Sequence, residues 1–117
     1  MRISHIAFDC SDATALARFW AAVMGWDVSP ESTAELAVVG GPSRPPEAPP
    51  MLFNRVPEEK TAKNRVHIDL ETDDLAAGTE RLLGLGASFI HDKFEFDTRW
   101  TTFADPEGNE FCLVQRA

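Results

Sequence analysis

The sequence has little positive charge and little cysteine. Its 117 residues include 11 Lys and Arg against 19 Asp and Glu, which gives a formal net charge of −8, and only two cysteines, Cys10 and Cys112. Nucleic acids and anionic membranes bind clustered basic side chains. The few basic residues here are scattered, so neither nucleic acid nor membrane is expected as a partner.

Long apolar runs are also missing. The longest uncharged apolar stretch is too short to span a bilayer, and the first ten residues, MRISHIAFDC, alternate like a strand instead of forming the apolar core of a signal peptide. We therefore expect a cytoplasmic protein with both cysteines reduced. The hydrophobic fraction of 44% is sufficient for a core, and the length suits a single domain over 1–117.

Two segments of the chain are similar to each other. HIAFDCSD (5–12) and HIDLETDD (67–74) share His, Ile and the final Asp at an offset of 62 positions, counted as 67 − 5. Each continues into a helical pattern that stops near a glycine, Gly25 or Gly86. This repeated order indicates an internal duplication, with module one at about 1–56 and module two at about 66–117; the alternative is chance similarity between two ordinary strand–helix units.

The secondary structure follows from apolar spacing and turn residues. Alternation predicts strands from Ile3 to Cys10 and from Val66 onward. An amphipathic pattern after Ser11 and Asp12 predicts the first helix, and Asp73 and Asp74 are suited to cap the second. Residues 40–50, GGPSRPPEAPP, contain five prolines and predict a long stiff loop. Short strands are expected at 26–29, 35–39, 51–56, 87–90, 99–104 and 110–115, with a turn at 105–109.

Three motifs in this order resemble the glyoxalase / bleomycin-resistance / extradiol-dioxygenase (vicinal oxygen chelate) superfamily, and most closely its glyoxalase-like domains. They are the His-containing first strand followed by ALARFWAAVMGWDV, then KNRVHIDLETDD, and finally TTFADPEGNEFCLV. The resemblance implies an α+β fold of two βαβββ modules, which form a half-barrel around a cavity with the helices outside. It also implies that the chain pairs as a homodimer.

The same resemblance implies a candidate metal site. His5 and His67 match ligand positions on the strands that open the two modules. The superfamily usually has a glutamate four residues after Gly108, where this chain has Cys112. Glu110 lies two residues earlier on the same face of the strand, about 7 Å away. His5, His67 and Cys112 together would suit zinc, with Ni, Mn or Fe as the other candidates. Alternatively, the two histidines line a metal-free pocket or face solvent.

Other residues are candidates for catalysis or for the substrate pocket. Asn54 corresponds to Cys112 if Phe53 is aligned with Phe111, and no carboxylate is found near it. An arginine beside a cavity binds a carboxylate or phosphate well, and aromatic side chains form walls for small ligands. Each candidate also has an ordinary role: solvated strand residue, surface ion pair or core packing. The candidate catalytic residues are Glu110 and Asp69, and the candidate substrate-pocket residues are Phe53, Asn54, Arg99 and Trp100.

Two functions remain open for this chain. The first is an enzyme acting on a small metabolite, a lyase or isomerase in which a divalent metal is the Lewis acid and Glu110 or Asp69 moves a proton. The second is a metal-free protein that binds and sequesters a small molecule or drug. The duplicated histidines favour the first function, and the missing glutamate favours the second.

Overall fold

The computed structural model describes residues 1–116 in two compact units, one over Met1–Lys60 and one from Thr61 onward. Each unit contains one strand, one helix and three further strands, in that order. The predicted α+β architecture of two βαβββ modules is therefore confirmed. No helix in residues 1–116 has the length and apolar character needed to cross a membrane.

The first unit is a four-stranded sheet with one helix against it. Its strands have the order β1-β4-β3-β2, with β1 and β4 parallel and the other pairs antiparallel. Its core contains Trp20 and Phe53, and the ring of Phe8 lies 5.6 Å from the first and 5.0 Å from the second, measured between ring centroids. The elements are β1 (Ile6–Cys10), α1 (Ala13–Met24), β2 (Asp27–Val28), β3 (Leu36–Gly40) and β4 (Met51–Arg55).

The second unit repeats this topology. Its strands have the order β5-β8-β7-β6, again with the first pair parallel and the others antiparallel. Phe103 and Phe111 stack in its core with ring centroids 5.6 Å apart. The elements are β5 (Asp69–Thr72), α2 (Leu75–Leu85), β6 (Ser88–Glu95), β7 (Thr98–Ala104) and β8 (Glu110–Gln115).

Both helices begin and end at the predicted residues. Asp12 and Asp74 are the N-caps, and each side chain accepts a hydrogen bond from the backbone N–H three residues later, at 3.1 and 3.0 Å. Gly25 and Gly86 follow the last turns with φ of 70° and 111°, a conformation that glycine adopts without steric cost. These four residues determine where both helices lie in the sequence.

Strands β1 and β5 begin later than predicted, so His5 and His67 precede the strands and are not part of them. His5 would pair with Pro50, which has no N–H to donate, and the ladder starts with the bond from the Ile6 N–H to the Pro50 carbonyl, 3.0 Å. His67 would pair with Glu110, whose backbone N–H and C=O are both bonded to the Asn64 side chain, at 2.7 and 3.0 Å.

Strand β6 is longer than the four residues predicted for it. It runs to Glu95 and turns through Phe96 and Asp97, which have φ of 53° and 56°. It is an edge strand, all eight of its residues are exposed, and a β-bulge lies between Phe89 and His91. The turn was missed because it lacks the Asn-Gly or Asp-Gly pair that predicts such hairpins.

Candidate functional site

One face of the second sheet forms a concavity of about 570 Å³. Every strand of this sheet contributes side chains to it, and the segment before β5 adds two more. The lining residues are Lys63, His67, Asp69, His91, Lys93, Glu95, Phe96, Thr98, Trp100, Thr102, Glu110, Cys112 and Val114.

Strand register arranges many of these side chains in rows across the sheet. The first row is polar: Asp69 of β5 pairs with Cys112 of β8, Cys112 with Thr102 of β7, and Thr102 with His91 of β6. A second row lies two residues away along these strands and consists of Val114, Trp100 and Lys93. Since side chains alternate between the faces of a strand, all members of both rows face the concavity.

Three side chains at the β5–β8 end of the polar row form a cluster of potential metal ligands. One donor atom each from His67, Asp69 and Cys112 lies within 4.8 Å of the other two. His67 Nδ1 is 2.7 Å from Asp69 Oδ1, and both side chains are about half exposed, at 44% and 54%. Two of the predicted metal ligands and one predicted catalytic carboxylate are thus adjacent.

The Cys112 thiol is buried and lies 3.4 Å from the Thr102 hydroxyl. Burial raises the pKa of this thiol, because a thiolate loses hydration there; the hydrogen bond with Thr102 lowers it, and the negative charges of Asp69 and Glu110 raise it further. The net effect is a raised pKa, which keeps Cys112 protonated near neutral pH. Without a cation beside it, Cys112 is therefore a poor nucleophile.

Glu110 lies on the concave face, half-buried, one side-chain repeat before Cys112 on β8. It lies outside the three-residue cluster. Asn64 fixes its backbone, with the Glu110 N–H donating to Asn64 Oδ1 at 2.7 Å and Asn64 Nδ2 donating to the Glu110 carbonyl at 3.0 Å. These two hydrogen bonds hold the backbone of Glu110 in place beside the cluster.

His5 belongs to the first unit, where it is exposed and its Nδ1 lies 2.8 Å from the Ser4 hydroxyl. Its predicted role as a metal ligand stays a prediction.

The proposed correspondence of Asn54 with Cys112 is wrong in register. Ala7 pairs with Leu52 in the first unit as Asp69 pairs with Cys112 in the second, so Leu52 occupies the position equivalent to Cys112. Leucine offers no ligand atom, so that position cannot supply a further metal ligand.

The four predicted pocket residues lie in different places. Phe53 is fully buried and stacks on Phe8, which gives it the core-packing role that the sequence left open. Asn54 is half-buried on β4, and its carbonyl accepts a hydrogen bond from the Cys10 thiol at 3.4 Å. Arg99 lies over the Phe94 ring, 5.9 Å from its centroid, on the face of the sheet opposite the concavity. Trp100 lines the concavity.

Sequence reasoning missed His91, Lys93, Thr102 and Asn64. The period-two pattern of His91, Lys93 and Glu95 was present as a signal, but the strand was predicted to stop at Ile90. Asn64 falls in a polar segment that resembles a linker. Only the register of β6, β7 and β8 reveals that His91 and Thr102 share a row with Cys112.

Comparison with known proteins agrees with this architecture. A family model described as a glyoxalase-like domain matches residues 5–114, so the chain belongs to that family. Among solved structures, a glyoxalase/bleomycin resistance protein/dioxygenase family enzyme from Burkholderia phytofirmans superposes with a TM-score of 0.78 at 14% identity, covering 96% of each chain. No curated protein matches the chain in sequence.

Two further solved structures have the same fold. The fosfomycin resistance protein FosX from Listeria monocytogenes, in complex with Mn(II) and 1S,2S-dihydroxypropylphosphonic acid, has a TM-score of 0.77 at 15% identity and covers 99% of this chain and 90% of its own. A lactoylglutathione lyase from Agrobacterium tumefaciens has a TM-score of 0.67 at 16% identity and covers 97% and 92%. At these identities the likeness establishes the fold alone.

Proposed function

We propose that the second unit binds a small organic molecule in its concavity and holds a divalent metal ion there, as a metal-dependent lyase or isomerase would. The observation that carries this proposal is the cluster of His67, Asp69 and Cys112, whose donor atoms lie within 4.8 Å of one another beside the concavity. Catalytic zinc sites generally have three protein ligands, which is the number that this cluster would supply.

The donor types of the cluster fit zinc better than manganese or Fe(II). Imidazole nitrogen, thiolate sulfur and carboxylate oxygen all bind zinc well, whereas manganese prefers oxygen ligands and Fe(II) oxygenases use two histidines with one carboxylate. When bound, the ion would supply Lewis-acid chemistry, polarising a carbonyl or enolate oxygen of the substrate. His5 stays a predicted further ligand.

The side chains of the cluster have distinct proposed roles. The His67 imidazole and the Asp69 carboxylate are both proposed as metal ligands, since His67 Nδ1 and Asp69 Oδ1 lie 2.7 Å apart, close enough to bind the same ion. Cys112 is proposed as a ligand, because a bound metal ion would deprotonate a coordinating thiol; without the ion, burial raises the pKa of this thiol and leaves it a poor nucleophile. Glu110, held by Asn64 outside the cluster, is the candidate base or acid that moves a substrate proton.

Metal-free binding of a small molecule or drug is the second candidate function. It is favoured by the contacts that the cluster already makes: Asp69 pairs with His67, and Thr102 lies within hydrogen-bond distance of Cys112. In this case Trp100 and Val114 would form the apolar floor for the ligand. The FosX complex with Mn(II) and the lactoylglutathione lyase, both of the same fold, support the enzymatic alternative.

Metal content distinguishes the two functions. Protein purified without an affinity tag is analysed for metal, and metal-free protein is titrated with Zn(II), Ni(II), Mn(II) and, without oxygen, Fe(II). We expect near-stoichiometric zinc that is lost in His67→Ala and in the His5→Ala/His67→Ala double variant. His91→Ala is the matched control, because His91 lines the same concavity outside the cluster.

Two outcomes would contradict parts of this proposal. Protein that contains no metal and takes none up is a metal-free binder, and ligand screening by thermal shift then follows. Metal that persists in His67→Ala lies elsewhere, and the cluster is then not the site. The single His5→Ala variant tests the predicted contribution of the first unit, and light scattering in solution tests the expected homodimer.

A further inference from the structure

We infer that the concavity binds an elongated organic anion, whose oxyanion is recognised by His91 and Lys93 on β6 and whose apolar body lies over Trp100. This inference rests on the proposed function, because it takes the concavity as the ligand site. It adds the chemical class of the ligand and a second recognition point, across the sheet from the cluster of His67, Asp69 and Cys112.

The β-bulge at Ile90 explains why these two side chains face the ligand site. Phe89 pairs with Phe103 on the face that carries the core, whereas His91 pairs with Thr102 on the concave face. In a regular strand, residues 89 and 91 would share one face. The extra residue reverses the alternation, so that the concavity receives His91 and Lys93 and not the side chain of Phe94.

Strand spacing gives the distance between the two recognition points that the ligand would span. Cys112 and His91 stand in the same row with one strand, carrying Thr102, between them. Neighbouring strands lie about 4.8 Å apart, so the two positions are roughly 10 Å apart across the sheet. Lys93 pairs with Trp100 in the next row, which places an ammonium beside the apolar floor formed by Trp100 and Val114.

Three carboxylates also line the concavity, but those of Asp69 and Glu110 lie on β5 and β8, so it is the charge near β6 that supports an anionic ligand. The protein carries a net charge of −8, yet Lys63 and Lys93 both line the concavity. Within residues 1–116, neither lysine forms an ion pair with a carboxylate. Both ammonium groups therefore remain available for a carboxylate or phosphonate, which bind charged donors strongly. Glu95 lies two residues after Lys93 on the same face, next to the turn at Phe96 and Asp97. Because its negative charge repels an anion, the oxyanion is expected at His91 and Lys93.

A matched series of probes tests the inference. Phenylbutyrate, phenylbutylphosphonate and the neutral phenylbutanol share an apolar body and differ in the end group. Each is titrated into isotope-labelled protein, which is loaded with metal if it takes up metal, and backbone amide shifts on β6, β7 and β8 are followed by NMR. We expect the two anions to bind about tenfold more tightly than the alcohol, because one charge-assisted hydrogen bond contributes about that much to affinity. Comparison of the carboxylate with the phosphonate identifies the preferred oxyanion.

Variants locate the recognition point. Lys93→Gln should weaken binding of the anions about tenfold and leave phenylbutanol unchanged, since it removes a charge and no apolar contact; His91→Gln should act in the same direction. Lys60→Gln is the matched control, because Lys60 is an exposed lysine outside the concavity. Unchanged melting temperatures verify that the variants fold.

The outcomes separate this inference from the proposed function. Equal affinity of anion and alcohol, or an anion affinity that Lys93→Gln does not change, overturns the inference while metal binding at His67 can still hold. Absence of shifts on β6, β7 and β8 with all three probes also overturns it. Conversely, anion binding that depends on Lys93 in protein that takes up no metal supports the inference and leaves the metal-free function.

Discussion

Gly78 of α2 lies so close to Leu113 of β8 that a Cβ atom on the glycine would be 2.6 Å from Leu113 Cδ2. This is shorter than any ordinary carbon–carbon contact. Glycine disfavours the interior of a helix by about 1 kcal/mol relative to alanine, so its presence here reflects packing. The close approach seats α2 on the strand that also carries Cys112 on its opposite face.

Gly78→Ala should destabilise the protein by about 1 kcal/mol, although alanine is the better helix former. Leu113 is only 5% exposed and has little room to move, and overpacking of this kind costs roughly 1–3 kcal/mol against the helix-propensity gain. Gly84→Ala is the matched control in the same helix, where a Cβ would meet nothing within 4 Å; it should stabilise. Urea unfolding measures both, and equal stabilisation by the two variants would show that Leu113 or α2 moves aside without cost.

Gly108 is the second glycine whose conformation matters. Its φ of 85° is the left-handed conformation expected from the turn sequence, and the Asp105 carboxylate closes the turn by accepting hydrogen bonds from the N–H groups of Glu107 and Asn109, at 2.9 and 3.0 Å. Gly108→Val should cost about 2 kcal/mol, because a β-branched residue is strained there. Gly108→Asn should cost less, since asparagine tolerates this conformation. Thermal unfolding that ranks valine equal to asparagine would contradict this turn geometry.

The turn at Phe96 and Asp97 combines two positive φ angles without a glycine. Turns of this kind favour Asn-Gly. The double variant Phe96→Asn/Asp97→Gly should therefore stabilise the protein by about 1 kcal/mol, and little packing is lost because Phe96 is 93% exposed. Phe96→Leu is the control, since leucine relieves no strain. A double variant that is less stable than the parent would mean that Phe96 makes a stabilising contact in solution.

The helices and the repeated topology were predictable because single residues determine them. Asp12, Asp74, Gly25 and Gly86 each have a local physical reason to stand at a helix end. The offset of 62 between the two histidine motifs then indicated the duplication. Such signals depend on neighbouring residues, which a sequence displays directly.

The candidate site was only partly predictable because its geometry depends on distant pairing. His67, Asp69 and Cys112 were proposed individually, and their proximity follows from the parallel pairing of β5 with β8. The row that ends at His91 depends on a one-residue bulge at Ile90, and a bulge leaves no marker in the local sequence when it is not a glycine. Likewise, nothing near Asn64 indicates that it binds the backbone of a residue 46 positions away.

The two cysteines give the sharpest test of the metal site. Both are buried, but Cys112 belongs to the cluster, whereas Cys10 belongs to the first unit and its thiol donates to the Asn54 carbonyl at 3.4 Å. Cys112→Ser should weaken zinc binding at least about 100-fold, more than the loss of an orienting partner costs, because a neutral hydroxyl replaces a thiolate ligand. The fold should persist, since serine can still hydrogen-bond the Thr102 hydroxyl.

Cys10→Ser should leave the zinc affinity unchanged. Calorimetric titration of metal-free protein with Zn(II) measures all three proteins, and circular dichroism verifies their folding. Equal affinities of the parent and Cys112→Ser would exclude the thiolate as a ligand and leave His67 and Asp69 as too few donors for a tight site. A loss of affinity in both cysteine variants would instead indicate that a change in the core, and not the removal of a ligand, weakens binding.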